Sequence, residues 1–229
     1  MNSLPLGYRA VVLGASGAIG SAFVAAFQAD PRCAEVLAVS RQSHPGWDIT
    51  DEASVAALAQ GLQGPFHCVI DATGALTIDG VGPEKRLDDI AADRLMRSWQ
   101  VNALGPALLL KHLSPLLATQ ERAVWAKLSA RVGSIEDNHK GGWYAYRSAK
   151  AALNQLLQTT AIDLARKRPQ LVVAALQPGT VQSRLSQAFV GDHAMAPEDS
   201  VNRLLQVLDQ LPANGRAHFV DHEGQVVPW

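Results

Sequence analysis

Short apolar runs recur along the chain, most closed by glycine, serine or aspartate, and most give way to a stretch with apolar residues three and four apart. The first pattern predicts buried strands and the second predicts helices with one buried face. Strands are expected at residues 8–13, 35–40, 47–49, 66–70, 123–129, 171–176 and 218–220. Helices are expected from the turn at 14–20 to about residue 29, then at 51–62, 88–117, 144–167, around 183–190 and at 197–211, with 192–195 as loop. Pro197 suits the first turn of the last helix. Alternation of strand and helix throughout predicts an α/β protein: one doubly wound parallel sheet of about seven strands with helices on both faces, a single domain over residues 1–229 without repeats or linkers.

In such sheets ligands lie at the carboxyl ends of the strands, and the unusual residues gather there. The first strand runs into Gly14-Ala15-Ser16-Gly17-Ala18-Ile19-Gly20 and then a helix. Glycines let backbone approach a ligand closely, and free N–H groups at a helix start favour a pyrophosphate. A tight turn with no ligand would use the same residues. Where a dinucleotide fold meets the adenosine ribose, an acidic residue would bind the 2′-hydroxyl; this chain has Ser40 and Arg41. A hydroxyl and a guanidinium suit a 2′-phosphate, so NADP is expected over NAD, although Arg41 also reads as a plain surface charge. Asp48-Ile49, Asp71-Ala72-Thr73-Gly74 and Pro178-Gly179-Thr180-Val181 stand at other strand ends.

Tyr146 and Lys150 are four apart at the start of an Ala- and Leu-rich helix, so both leave one face. A phenol of pKa ~10 is a poor acid–base group at neutral pH, and a neighbouring cation brings it toward the working range. By itself the pair also reads as a helix-entry aromatic and a solvated lysine. Asn102 lies in mid-helix, where its poor propensity makes it either a local exposed residue or a buried amide with assigned partners.

Composition narrows the field. The 229 residues are 48% hydrophobic and 18% charged, which excludes a largely disordered chain. A net charge of −1 with no basic block gives no footprint for nucleic acid or an acidic membrane. Cys33 and Cys68, far apart in apolar runs, read as buried free thiols of a reducing compartment. His218 and His222, flanking Asp221, come nearest to ligand spacing, and no metal is expected. The uncharged stretch 10–27 resembles a membrane span, but its three glycines make a strand, loop and helix the better reading. A soluble, cytoplasmic protein is expected.

Together the glycine loop, Asp48-Ile49, Gly74, Asn102, Ser129, Tyr146-x-x-x-Lys150 and Pro178-Gly179 resemble the short-chain dehydrogenase/reductase family. Within its compact branch, the runs 128–135 and 141–147 and the final Pro228-Trp229 are similar to the C-factor and Sniffer-like carbonyl reductases. The resemblance implies a Rossmann-type sheet and hydride transfer between NADP(H) and a small carbonyl or alcohol. It also implies pairing of the Asn102 and Tyr146 helices in a homodimer or homotetramer; an Ala-rich helix equally suits an internal core. It makes Tyr146 the general acid, Lys150 its pKa-lowering partner and ribose holder, and Asn102 the kink that holds a relay water. The glycine loop would take the pyrophosphate, Asp48 and Ile49 the adenine, Ala72, Thr73 and Gly74 the approach to the cofactor, and residues 178–181 the nicotinamide amide. The glycine spacing departs from the compact branch, with Ala18 in the middle slot. Alanine also fills the usual place of the carbonyl-orienting serine, at Ala130. Ser129 and Ser134 are the hydroxyls close enough in sequence to replace it; the alternative to an enzyme is a cofactor-binding signalling or sensor protein with little turnover.

Overall fold

The computed structural model describes residues 1–183 and 194–229. Six parallel strands form one sheet: β1 (Tyr8–Leu13), β2 (Cys33–Val39), β3 (Cys68–Asp71), β4 (Ala123–Leu128), β5 (Leu171–Gln177) and β6 (Ala217–Asp221), in the order β2-β1-β3-β4-β5-β6. Because side chains alternate along a strand, β1 sends Val11 and Leu13 into one core and Ala10 and Val12 into the other. The first core is covered by α2 (Glu52–Gly61), α4 (Gly105–Leu113) and α5 (Tyr144–Ala165), and the second by α1 (Ala18–Ala29) and α6 (Pro197–Gln210). From β1 the chain steps outward to β2 and then crosses back to β3 on the other side. The carboxyl ends of β1 and β3 therefore flank the switch point where such sheets open a crevice.

Two expected elements differ. Residues 47–49 form no strand: Trp47 is buried in the core, but the Asp48 carboxylate turns back on Thr50, accepting its amide and its hydroxyl at 2.8 Å each. Such local bonding competes with a ladder, and β2 is left as the sheet edge. The helix expected over 88–117 is divided into α3 (Ala92–Trp99), a π-turn at Gln100–Leu104 and α4, with a separate 3₁₀ turn at Leu87–Asp89 before it. Most of the stretch expected to be helical near 183–190, and the first half of the loop at 192–195, lie outside the described residues. Cys68 is buried as expected, whereas Cys33 is half-buried; both are free. No helix among the described residues is long and apolar enough to cross a membrane.

Candidate active site

The glycine loop folds over the switch point, and the structure separates its three glycines. Gly14 has φ +79, and a Cβ there would lie 2.9 Å from the Ala72 carbonyl carbon and oxygen. A Cβ on Gly20 would meet the Gly14 carbonyl oxygen at 2.2 Å, so both must be glycine. Gly17 caps α1 with φ −77, and its Cβ would find that oxygen only at 3.4 Å. Alanine at position 18 therefore costs the turn nothing, since Gly14 and Gly20 make the close approaches. No side chain caps α1 and its first turn holds no acidic residue. Its leading N–H groups, beside exposed Ser16 and Gly17 and half-buried Ala18 and Ile19, remain open to an anion.

At the end of β2, Ser40 does not face outward. It is buried, and its hydroxyl accepts the amides of Gln42 and Ser43 at 3.2 Å each, which closes a local turn. Arg41 is the exposed cation at this strand end. Hydrogen bonds from Thr50, amide before hydroxyl, hold Asp48 below the usual carboxylate range, and the fields of Arg97 and Arg41 add to them. Ile49 packs against the start of α4, where a Cβ on Gly105 would meet its side chain at 2.9 Å.

The loop after β3 is gripped from two sides. Asn102, in the π-turn and fully buried, accepts the Ala75 amide at 3.0 Å and donates to the Ala75 carbonyl at 2.9 Å. The wide turn thus carries a buried amide with assigned partners, one of the two readings left open by its position. Gly74, at φ +136, sits between this side chain and Lys150: its Cβ would lie 3.1 Å from Asn102 Oδ1 and 3.6 Å from Lys150 Nζ. At the end of β5, Gly179 has φ +80, and its Cβ would meet the His222 ring at 3.0 Å. The Pro178 carbonyl accepts Ser200 Oγ at 2.6 Å, Thr180 is exposed, and Val181 is buried beside Met195.

Tyr146 and Lys150 emerge together from the first turns of α5, both nearly buried at 7% and 2% exposure. Lys150 Nζ donates to the Leu128 carbonyl at 3.0 Å and lies 5.5 Å from the centre of the Tyr146 ring. Trp143, which precedes the helix with φ +55, contacts the same ring edge to face. The expected lowering of the phenol is not found. Burial pushes Tyr146 above the ordinary tyrosine value and drives the Lys150 amine well below the ordinary lysine value. A cation that is itself desolvated cannot offset the desolvation of the phenol beside it. Tyr146 consequently keeps its proton at neutral pH, the form a proton donor needs, and is a weak acid in this setting. It lines a cavity of about 260 Å³ with Leu76, Ile78, Glu84, Arg97 and Ser98. A second cleft, of about 470 Å³ between α6 and residues 222–224, contains none of the expected site residues.

Neither hydroxyl expected to replace the missing serine enters the Tyr146 cavity. Ser129 is buried and donates to Asn154 Oδ1 at 2.6 Å, on the α5 side of β4. Ser134 is buried in its own turn, accepting the Asp137 amide at 3.0 Å and reaching the Trp229 carbonyl at 3.5 Å. Strand alternation set Ser129, and a turn set Ser134. Replacing Ser129 by alanine should therefore lower stability by about 1–3 kcal/mol, the usual cost of stranding a buried hydrogen-bond partner, and leave turnover per folded molecule unchanged. Thermal melting beside steady-state rates checks this, and a rate loss without a change in melting would contradict it.

Two further residues were passed over in the sequence. Glu84 is buried, and its carboxylate accepts the Ala145 amide at 3.1 Å, capping α5 from 61 residues away. Lys127 is fully buried in β4 and paired with Asp71 at 2.9 Å. A charge inside the apolar run 123–128 was the available signal for Lys127; for Glu84 there was none.

Against known proteins, residues 18–209 match the family model described as enoyl-(acyl carrier protein) reductase. The chain is 30% identical over 200 residues to 1-hydroxy-2-glutathionyl-2-methyl-3-butene dehydrogenase of Rhodococcus sp. strain AD45, covering 86% of this chain and 84% of that one. It is 35% identical over 144 residues to the C-signal protein of Myxococcus xanthus, 62% of this chain and 83% of that protein. A short-chain dehydrogenase/reductase from Burkholderia multivorans with bound NADP superimposes with a TM-score of 0.81 at 25% identity, covering 97% of this chain and 99% of that one. The chain belongs to the short-chain dehydrogenase/reductase family, and it is an oxidoreductase of that nicotinamide-dependent kind.

Proposed function

We propose that the protein uses NADPH to reduce the carbonyl of a small or medium organic molecule. The observation that carries this reading is the placement of Tyr146 in a cavity beside Lys150, with Gly74 against the Lys150 amine and the uncapped, glycine-led start of α1 at the neighbouring strand end. The bound cofactor supplies and accepts hydride. The open amides of α1 and the loop residues Ser16 to Gly20 hold its pyrophosphate, with Gly14 shaping the turn. Arg41 meets the 2′-phosphate, with Ser40 ordering the Arg41 turn. Asp48 and Ile49 border the adenine, Ala72 to Gly74 and Pro178 to Val181 flank the nicotinamide end, and Lys150 holds the ribose. Tyr146 gives its proton to the nascent alkoxide, and Asn102 keeps the 74–75 backbone and Lys150 in register. The NADP-bound relative supports the cofactor choice, and the Rhodococcus dehydrogenase, named for a hydroxylated substrate, supports carbonyl/alcohol interconversion.

Exposed apolar side chains on the helices around Asn102 and Tyr146, namely Met96, Trp99, Leu104, Leu156 and Ile162, support a homo-oligomer built on that face. The free thiols support a reducing, cytoplasmic setting.

NADPH oxidation against a panel of aldehydes and ketones tests the activity. Arg41→Ala should weaken NADPH by about 10–100-fold, the value of a charge-assisted contact, and leave NADH unchanged. Tighter binding of NADH than NADPH by the native protein would sink the assignment. A second reading, a cofactor-binding signalling protein with little turnover, draws on Ala130 and on the hydroxyls of Ser129 and Ser134 being bonded elsewhere. Tight NADPH binding with no reaction across the panel would favour it.

A further inference from the structure

The buried pair Lys127 and Asp71 belongs to the site. Lys127 Nζ donates to Asp71 Oδ1 at 2.9 Å, to the Thr73 carbonyl at 2.6 Å and to Thr73 Oγ1 at 3.1 Å. Asp71 Oδ1 also accepts the Thr73 amide at 2.9 Å and the Thr73 hydroxyl at 2.5 Å. Both charged side chains are at 0% exposure. An ion pair so placed is costly to desolvate and lends little stability over an apolar pair of the same size, so its position at the ends of β3 and β4 calls for another explanation. The adjoining residue, Gly74, is the one wedged between Asn102 and Lys150. Lys127 also exerts a like-charge effect on Lys150, larger than the opposing one from Asp71.

We propose that Lys127, anchored by Asp71, is a positioning residue that fixes the Thr73–Gly74 backbone against Lys150 and places a second cation behind that backbone. The charged or titratable groups facing Lys150 are Tyr146 on its own helix, Lys127 on β4 and Asp71 at the end of β3. The π-turn presents the neutral Asn102, and the 131–133 turn presents the backbone of Gly133, whose Cβ would lie 2.8 Å from Lys150 Cβ. Arg131 in that turn is directed to Asp137 and Asp221. The apolar residues of β5 carry no charge toward it.

The inference rests on the reading of Tyr146 and Lys150 as the acid–base pair. Its test uses the full chain, with NADPH affinity followed by tryptophan fluorescence and, where a substrate is in hand, kcat, both from pH 5 to 10. Removing the cation in Lys127→Met should move the high-pH limb of both profiles upward by about one pH unit. Asp71→Asn strands the buried Lys127, which then sheds its own proton at lower pH, so this variant and the double variant should both move the limb upward by less than Lys127→Met alone. A full upward shift in Lys127→Met with smaller upward shifts in the other two supports the assignment. An unmoved or downward limb in Lys127→Met that melts cooperatively would overturn it, whatever the loss in rate. Should either single variant fail to fold, the double variant decides: an upward shift supports the proposal and an unmoved limb overturns it. Failure of the wider reading looks different, because NADPH binding would persist while Tyr146→Phe left any turnover intact.

Discussion

Tyr146→Phe should lower carbonyl reduction by about 10²–10⁴-fold, the range a positioned general acid contributes, with little change in NADPH affinity. The substitution removes one oxygen and keeps the ring that meets Trp143 and lies beneath Lys150. The fold and the cleft should therefore survive, and the loss should fall on kcat. Because burial raises this phenol, it stays protonated through neutral pH. The native reduction rate should show no low-pH requirement for tyrosine ionisation. Alcohol oxidation, which needs the phenolate, should be slow at neutral pH and climb as the solution is made alkaline. Undiminished reduction by the phenylalanine variant would remove Tyr146 from the mechanism.

Gly20→Ala should be the most damaging single methyl in the cofactor cleft. Its Cβ would sit 2.2 Å from the Gly14 carbonyl oxygen, and the neighbour is backbone that cannot swing aside. Overpacking of this kind costs about 1–3 kcal/mol or more, a fall in melting temperature on the order of 10 °C for a chain this size. NADPH affinity should fall with it, because the turn and the first turn of α1 are displaced together. Gly17→Ala is the matched control: the same added methyl, an ordinary φ and a nearest neighbour at 3.4 Å should leave melting and binding close to native. Equal damage from both would mean that contact distance does not govern this loop.

Most of the architecture was legible because it is written in local patterns. The apolar runs, the glycines after β1 and the helix spacing after Tyr146 each need only a dozen neighbouring residues to interpret. The short run 47–49 was misjudged because an aspartate can satisfy its own turn, and three residues are too few to outweigh that. The directions of hydroxyls were less accessible. Ser40, Ser129 and Ser134 lie near the right places in the chain, yet Ser40 and Ser134 are turned into their own local turns and Ser129 is bonded to Asn154, a partner that only the fold brings near. Lys127 and Asp71, 56 residues apart, illustrate the same limit: a lysine among valine, tryptophan and alanine signals a partner without naming it. The phenol's acidity depended on how deeply the lysine itself is desolvated, which no spacing rule contains.

The unpaired outer edge of β2 has a further consequence. With no strand among the described residues laid against it, residues 41–50 are tied mainly by short-range bonds, such as His44 to Ser40, Trp47 to His44 and Thr50 to Asp48, with Trp47 as their apolar anchor. In the reading proposed above this segment would meet the adenosine end of the cofactor, whereas the reacting end would stand on the interior strands β3, β4 and β5. On that reading, cofactor choice is written on a detachable margin of the sheet. Descendants of this chain could exchange one dinucleotide for the other by rewriting that margin, without disturbing the strands on which the proton donor depends.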